Sequence, residues 1–236
     1  MNIRLIKRAA LTATLLLTSV GAHAAIIVQS DAKALTTTNW SQGFSFDKFD
    51  ATLGTLQSVT LAVNGHLEGT AKAESLDGAP ANITLNLQAA VTASIDGGGL
   101  GIFSTVANPL SSNNFAATAF DGTIDFGGTS GVTLAGLSAD GSNSVVSSSA
   151  SWLSFFTDVD GLVGGLDTLS LNLSGTGQSS GSGAGNLITQ FNTFAAGDWT
   201  VTYVYDSVPT PSVPVPASIA LLGLGLVGLR RRLIAH

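Results

Sequence analysis

From Ile83 to Ile95 every second residue is apolar: Ile83, Leu85, Leu87, Ala89, Val91, Ala93 and Ile95 share one parity, and Asn82, Thr84, Asn86, Gln88, Thr92 and Ser94 fill most of the other. Successive side chains of an extended chain point to opposite faces, so this spacing makes one face apolar and the other wet. The run predicts a strand of an antiparallel sheet with one face on a core.

The alternation recurs elsewhere. Val59, Leu61 and Val63 lead to Asn64-Gly65, residues that suit the two positive-φ positions of a type I′ turn, and Leu67, Gly69, Ala71 and Ala73 follow. That order predicts a hairpin. Leu169, Leu171 and Leu173 alternate with Ser170, Asn172 and Ser174, while Trp199, Val201, Tyr203 and Tyr205 form one face of a last strand. Leu187, Ile188, Phe191 and Phe194 fit either one short helix or an irregular strand. Residues 136–151, rich in Ser and Gly, and 174–185, uncharged and almost without apolar side chains, read as long mobile loops. No internal repeat argues for a solenoid or propeller. The expectation is an all-β chain, an antiparallel β-sandwich rather than a barrel, over residues 25–208.

Charge narrows the partners. All fifteen acidic residues lie between Asp31 and Asp206, where the only cations are Lys33, Lys48 and Lys72. Such a body repels phosphate backbones, which argues against nucleic acid. The 236 residues contain no cysteine, so disulfides, thiolate zinc sites and thiol nucleophiles are excluded.

The six remaining cations mark the ends. Arg4, Lys7 and Arg8 precede an apolar stretch from Ala9 to Val20, and Ala22-His23-Ala24 supplies the small residues that signal peptidase needs before a cut between Ala24 and Ala25. Residues 1–24 therefore read as a secretory signal. The alternative, an uncut N-terminal anchor, needs a longer run to cross about 30 Å of hydrocarbon. At the other end a Pro-spaced linker, 209–212, leads into Val213-Pro214-Val215-Pro216-Ala217-Ser218. Ile219 to Leu229 then lacks any polar side chain and reads as a single apolar helix, stopped by Arg230, Arg231 and Arg232. This run is also short for a permanent anchor, the alternative here.

That three-part order over 213–236 resembles the PEP-CTERM sorting signal of Gram-negative bacteria, in its Val-Pro-x-Pro-Ala variant. Val215 stands where the Val-Pro-Glu-Pro form has glutamate, which leaves the exosortase subtype open. The resemblance implies export, transient anchoring in the inner membrane, and cleavage near Pro214 to Ser218 by exosortase, a membrane-embedded transpeptidase. Thr36-Thr37-Thr38-Asn39-Trp40, Phe44-Ser45-Phe46-Asp47-Lys48-Phe49-Asp50 and the stretch from Leu53 to Leu61 are in turn similar to the choice-of-anchor ectodomains, type E. Those are secreted domains joined to alternative surface-sorting signals, and they carry no catalytic residues across. Phe49-Asp50 followed by Leu53-Gly54-Thr55-Leu56 reads physically as a strand end, a glycine turn and the next strand.

Few residues suggest chemistry. His66 is the only histidine expected in the processed body and shares a parity with Glu68, Thr70, Lys72 and Glu74, so it reads as an exposed polar side chain with no nucleophile motif to partner it. Asp158, Asp160 and Asp167 surround Gly161 and are the raw material of a calcium loop, without the third acid or terminal glutamate of an EF-hand. Asp96 to Gly101 is glycine-rich, but no Lys-Ser or Lys-Thr helix follows, so it reads as a turn rather than a phosphate cradle. Trp40, Trp152 and Trp199 are the available platforms for a sugar ring.

The sequence thus leads to an exported, non-enzymatic surface or matrix protein of structural or adhesive type, with signal peptidase and exosortase as processing partners and no cofactor unless calcium. A carbohydrate-binding module of the exopolysaccharide matrix is the second expectation. A secreted hydrolase is the third.

Overall fold

The computed structural model describes residues 24–95, 102–106, 111–159 and 165–208. In chain order these form β1 (Ala24–Thr37), β2 (Trp40–Asp47), β3 (Phe49–Asp50), a 3₁₀ turn (Ala51–Leu53), β4 (Gly54–Ser75), β5 (Ala81–Leu87), β6 (Ala89–Ile95), β7 (Ile102–Val106), β8 (Ser111–Ala117), β9 (Gly131–Ser147), α1 (Ala150–Phe156), β10 (Thr157–Asp158), β11 (Thr168–Gly177), β12 (Ser180–Ser182) and β13 (Leu187–Ser207). The all-β expectation holds, and so does the sandwich.

One layer is a sheet of order β1-β13-β4-β9, antiparallel throughout. Its central strands are 22 and 21 residues long, about 70 Å at ~3.3 Å per residue. Among the described residues no single facing sheet matches that length. Two shorter sheets do so instead, β2-β11-β6-β7 and β12-β5-β8.

The interior divides accordingly. Phe44, Phe46, Val59, Leu61, Val63, Val91, Leu171, Leu173, Trp199, Val201 and Tyr203 belong to the larger core. Ala71, Ala73, Ile83, Leu85, Leu87 and Ala117 make the smaller one, which Phe115, Val132 and Phe191 extend. Burial of these side chains, worth roughly 25 cal/mol per Å² of apolar surface, is the main force holding the layers together.

Four segments depart from the sequence reading. The run 83–95 is two strands, because its partners change at Gln88: its carbonyl accepts from the Gln178 amide at 2.9 Å, where β11 gives way to β12. The alternation continues through the break, and only the sheet membership switches.

Asn64-Gly65 makes no turn. Both residues lie inside β4, where Gly65 pairs with Gly197 of β13 and Gly141 of β9. Leu61, Val63 and Leu67 keep one buried parity across the pair, so long partners on both sides outweigh the local turn preference.

Neither expected loop is a loop throughout. Residues 131–147 form β9, because ladder hydrogen bonds to β4 come from the backbone and do not require apolar side chains on an edge strand. Residues 174–177 and 180–182 are likewise in ladders. Their glycines are packing residues: a Cβ at Gly175 would lie 2.5 Å from Trp40 Cε2, and one at Gly181 would lie 2.6 Å from Thr189 Cγ2.

Residues 187–194 are strand, paired with β4 from Ser75 to Glu68. The final strand from Trp199 and the start at Gly54 are as expected. Asp50 caps the 3₁₀ turn by accepting from the Thr52 amide at 2.8 Å. Residues 1–23 of the expected signal peptide, the glycine run 96–101 and residues 219–229, expected as an apolar helix, lie outside the described residues.

Candidate functional site

A depression of about 510 Å³ lies across the middle of the long sheet. Cross-strand partners share a face, so the register builds it row by row. Ala32, Asp198, Asn64 and Ser142 form one row, and Ala196, His66 and Asp140 the next but one. Between them run Gly197, Gly65 and Gly141, whose bare backbones are the floor. The glycines answer to the other face: a Cβ at Gly197 would sit 2.9 Å from the Asn64 carbonyl oxygen and 3.1 Å from Leu173 Cδ1.

Polar contacts line the rim. The Asn64 amide donates to Asp198 Oδ2 at 2.9 Å. His66 Nδ1 lies 2.6 Å from Asp140 Oδ1, and its Nε2 lies 3.1 Å from Glu68 Oε1. Hydrogen bonds to Asp140 first and Glu68 second raise the His66 pKa above its ordinary value of 6.5. Both ring nitrogens donate when the ring is protonated, and in that form His66 is a positive staple between β4 and β9. Asp140 was invisible as its partner in the sequence, because 74 residues separate the two.

A second polar centre is buried. Glu74 is fully enclosed, accepts from the Ser130 hydroxyl at 2.6 Å and from the Phe126 amide at 2.8 Å, and so fixes the segment 118–131 against the small core. Phe126 takes a positive φ of 58°, with Lys72 Nζ 5.6 Å from its ring centroid.

Two of the three calcium candidates are among the described residues. Asp158 is buried in the short parallel pair of β10 with β3 and accepts from the Asp167 amide at 3.2 Å. The Asp167 carboxylate meets Lys48 Nζ at 3.5 Å, and Asp160 lies outside the described residues. Among the described residues no three His, Asp or Glu side chains are placed to hold a metal ion.

The tryptophans also divide. Trp199 is buried and donates to the Asn172 carbonyl at 3.4 Å, which removes it as a sugar platform. Trp152 packs 5.4 Å from Phe156, centroid to centroid. Trp40 is half-buried, with Lys33 Nζ 5.9 Å from its ring centroid and no hydrogen-bond partner for Nε1 among the described residues.

Gly177-Gln178-Ser179-Ser180-Gly181 does spell Gly-x-Ser-x-Gly, contrary to the reading that no such motif accompanies His66. It joins β11 to β12 rather than a strand to a helix, and the Ser179 hydroxyl accepts from the Gln88 amide at 3.3 Å. A nucleophile elbow needs the strand-to-helix turn.

Ala24 and Ala25 are the first residues of β1, opposite Asp206 and Tyr205. Ala22, Val213 to Ser218 and Arg230 to Arg232 lie outside the described residues.

Residues 212–232 match the PEP-CTERM protein-sorting motif. The chain therefore carries an exosortase sorting signal. It begins five residues beyond the end of β13, and it makes this an exported protein processed at the membrane with exosortase as its processing partner. No curated protein matches the chain. Among solved structures, a T13 particle of infectious bursal disease virus is 12% identical over 87% of this chain and 47% of that one, with a TM-score of 0.25. The T=1 particle derived from the same virus is 13% identical over 88% and 48%, with a TM-score of 0.21. The chain thus spans about half the length of these structures.

Proposed function

We propose that the chain is a structural or adhesive protein of the cell surface or extracellular matrix, carried out by a cleaved signal at residues 1–24. In this reading it is held in the inner membrane by Ile219 to Leu229 and cut by exosortase near Pro214 to Ser218. The sorting motif at 212–232, set directly behind the last strand, is the observation that carries it. The body agrees in character: a sandwich with few charged side chains, many of whose exposed residues are Thr, Ser and Asn, beside apolar Ile26, Val28 and Val146. The likeness of residues 25–206 to choice-of-anchor ectodomains of type E, and of 213–218 to the Val-Pro-x-Pro-Ala variant, belongs to the same reading. No catalysis is assigned to it, and calcium is not required by it.

Mass spectrometry of the native protein tests the proposal. A chain running from Ala25 to a residue upstream of Ile219 supports it, and an intact His236 overturns it. Deletion of residues 213–236 abolishes processing on this reading.

A carbohydrate-binding role in the exopolysaccharide matrix is the second reading, favoured by the open groove over Gly65 with its Asn64, Asp140 and Asp198 rim. Glycan pull-down with the Asn64→Ala variant separates it from the first. A hydrolase gains no support from the 177–181 serine.

A further inference from the structure

One carboxylate stands on each of three successive rows of the outer face of the long sheet. Asp198 of β13 lies opposite Asn64, Asp140 of β9 opposite His66, and Glu68 of β4 opposite Phe194. Residues two apart on a strand share a face, so these rows recur about every 6.6 Å. Each carboxylate uses one oxygen on a neighbour, Asp198 Oδ2 on Asn64, Asp140 Oδ1 and Glu68 Oε1 on His66, which leaves its second oxygen for a ligand. The groove also continues past His66. A second depression of about 280 Å³, lined by Glu68, Thr70, Ser138 and Phe194, adjoins the first on the same face. From Asn64 to Thr70 the two extend over about 20 Å at ~3.3 Å per residue. Phe194 is half-buried and belongs to neither core, so part of its ring faces the groove. Lys33 is the one lysine lining the groove among the described residues, and its Nζ is 5.9 Å from the Trp40 ring centroid.

We propose that this groove binds an amine-bearing glycan, a polymer of amino sugars with free ammonium groups, in preference to a neutral or uronic-acid chain. The proposal rests on the carbohydrate reading above and names the class of sugar. Even with His66 protonated and Lys33 counted, the three carboxylates leave the groove net negative, and the acidic body around it adds a field of the same sign. A uronic-acid chain would set carboxylates against carboxylates. A neutral chain can donate hydroxyls to the acids but leaves their charge unanswered. An amino-sugar chain brings cations at regular intervals to acids at regular intervals, and each ammonium can donate to a carboxylate in a charge-assisted hydrogen bond. Its ring faces can also lie against Phe194. A basic peptide supplies the charge without the ring.

The test titrates the full chain, in a nonionic detergent at about pH 6, where carboxylates and sugar amines are both charged. The probes are a β-1,4-linked glucosamine hexamer, its fully N-acetylated counterpart, a galacturonate hexamer, and hexalysine as a polycation of equal charge. The glucosamine hexamer should bind about tenfold more tightly than the acetylated one and weaken as salt is added, and galacturonate should not bind. Asp198→Asn and Glu68→Gln should each weaken it several-fold, whereas Asp167→Asn, the same change of charge away from the groove, should not. Phe194→Ala should weaken the glucosamine hexamer and leave hexalysine unchanged. Urea midpoints are read for every variant, and Phe194→Leu takes the place of Phe194→Ala if the latter does not fold. Equal binding of the glucosamine and acetylated hexamers overturns the proposal while leaving the carbohydrate reading intact. Hexalysine binding as tightly as the glucosamine hexamer, with no effect of the Phe194 change on either, means that any polycation is attracted and also overturns it. Absence of binding by every sugar overturns the proposal and the carbohydrate reading together.

Discussion

The Ser130 hydroxyl donates to Glu74 Oε1 at 2.6 Å across 56 residues of chain, and the second carboxylate oxygen accepts from the Phe126 amide. A fully buried carboxylate is expensive unless its lone pairs are met, and here it also leaves no room beside Gly131, where a Cβ would overlap Oε2. Glu74→Ala removes the acceptor from two enclosed donors. We expect a loss of about 1–3 kcal/mol, read as a lower urea midpoint. Glu74→Gln, which keeps one acceptor, should fall between.

His66 gives the body a mild pH dependence. Its folded pKa is raised by Asp140 and Glu68, so the stabilisation is fully present below the unfolded value near 6.5 and is lost as pH climbs through the folded value. The ring is more than a third exposed, so solvent screening limits the effect to less than about 1 kcal/mol. Thermal unfolding of the wild type and His66→Gln should differ at pH 5.5 and converge by pH 9, and a gap that widens with pH contradicts this.

The glycines of 174–185 test whether the segment is built or merely flexible. Gly175→Ala pushes a methyl into the Trp40 indole and should cost about 1–3 kcal/mol. Gly78→Ala meets nothing within 4 Å and serves as the control. Equal midpoints for the two variants mean that the Trp40 contact is absent in solution.

Tyr203 is one of two tyrosines in the chain, and its phenol should resist ionisation. Burial, then the Asp47 charge, push the Tyr203 phenol well above its ordinary value of 10, and its hydroxyl donates to the Asp47 carbonyl at 3.0 Å. Its contribution to stability is complete below pH 10 and declines as pH rises toward the folded value. Absorbance near 295 nm, compared between the wild type and Tyr203→Phe, should therefore show Tyr203 ionising only as the fold opens.

Much of this fold is legible because alternation is a local signal. Leu169, Leu171 and Leu173, like Trp199, Val201 and Tyr203, declare their buried face whatever they pair with. Pairing itself is not local. Asn64-Gly65 has the composition of a turn and becomes mid-strand only because Gly197 and Gly141, more than 70 residues away, come alongside. The serines and glycines of β9 and β12 carry little apolar signal, since the β4 and β5 backbones hold them. The groove was hidden for the same reason: His66 is visible in the sequence, its 2.6 Å contact with Asp140 is a product of register. The sorting signal, by contrast, is contiguous in the chain and can be read without any fold.

β13 is hydrogen-bonded along both edges, to β1 and to β4. A pull entering at Ser207 along the strand and resisted at the far end of the sheet loads both ladders in shear, so many bonds must yield together. A pull that draws Ala24 away from Asp206 peels β1 off one pair at a time. The domain is consequently a stronger mechanical link when loaded through Ser207 along β13 than when loaded through Ala24.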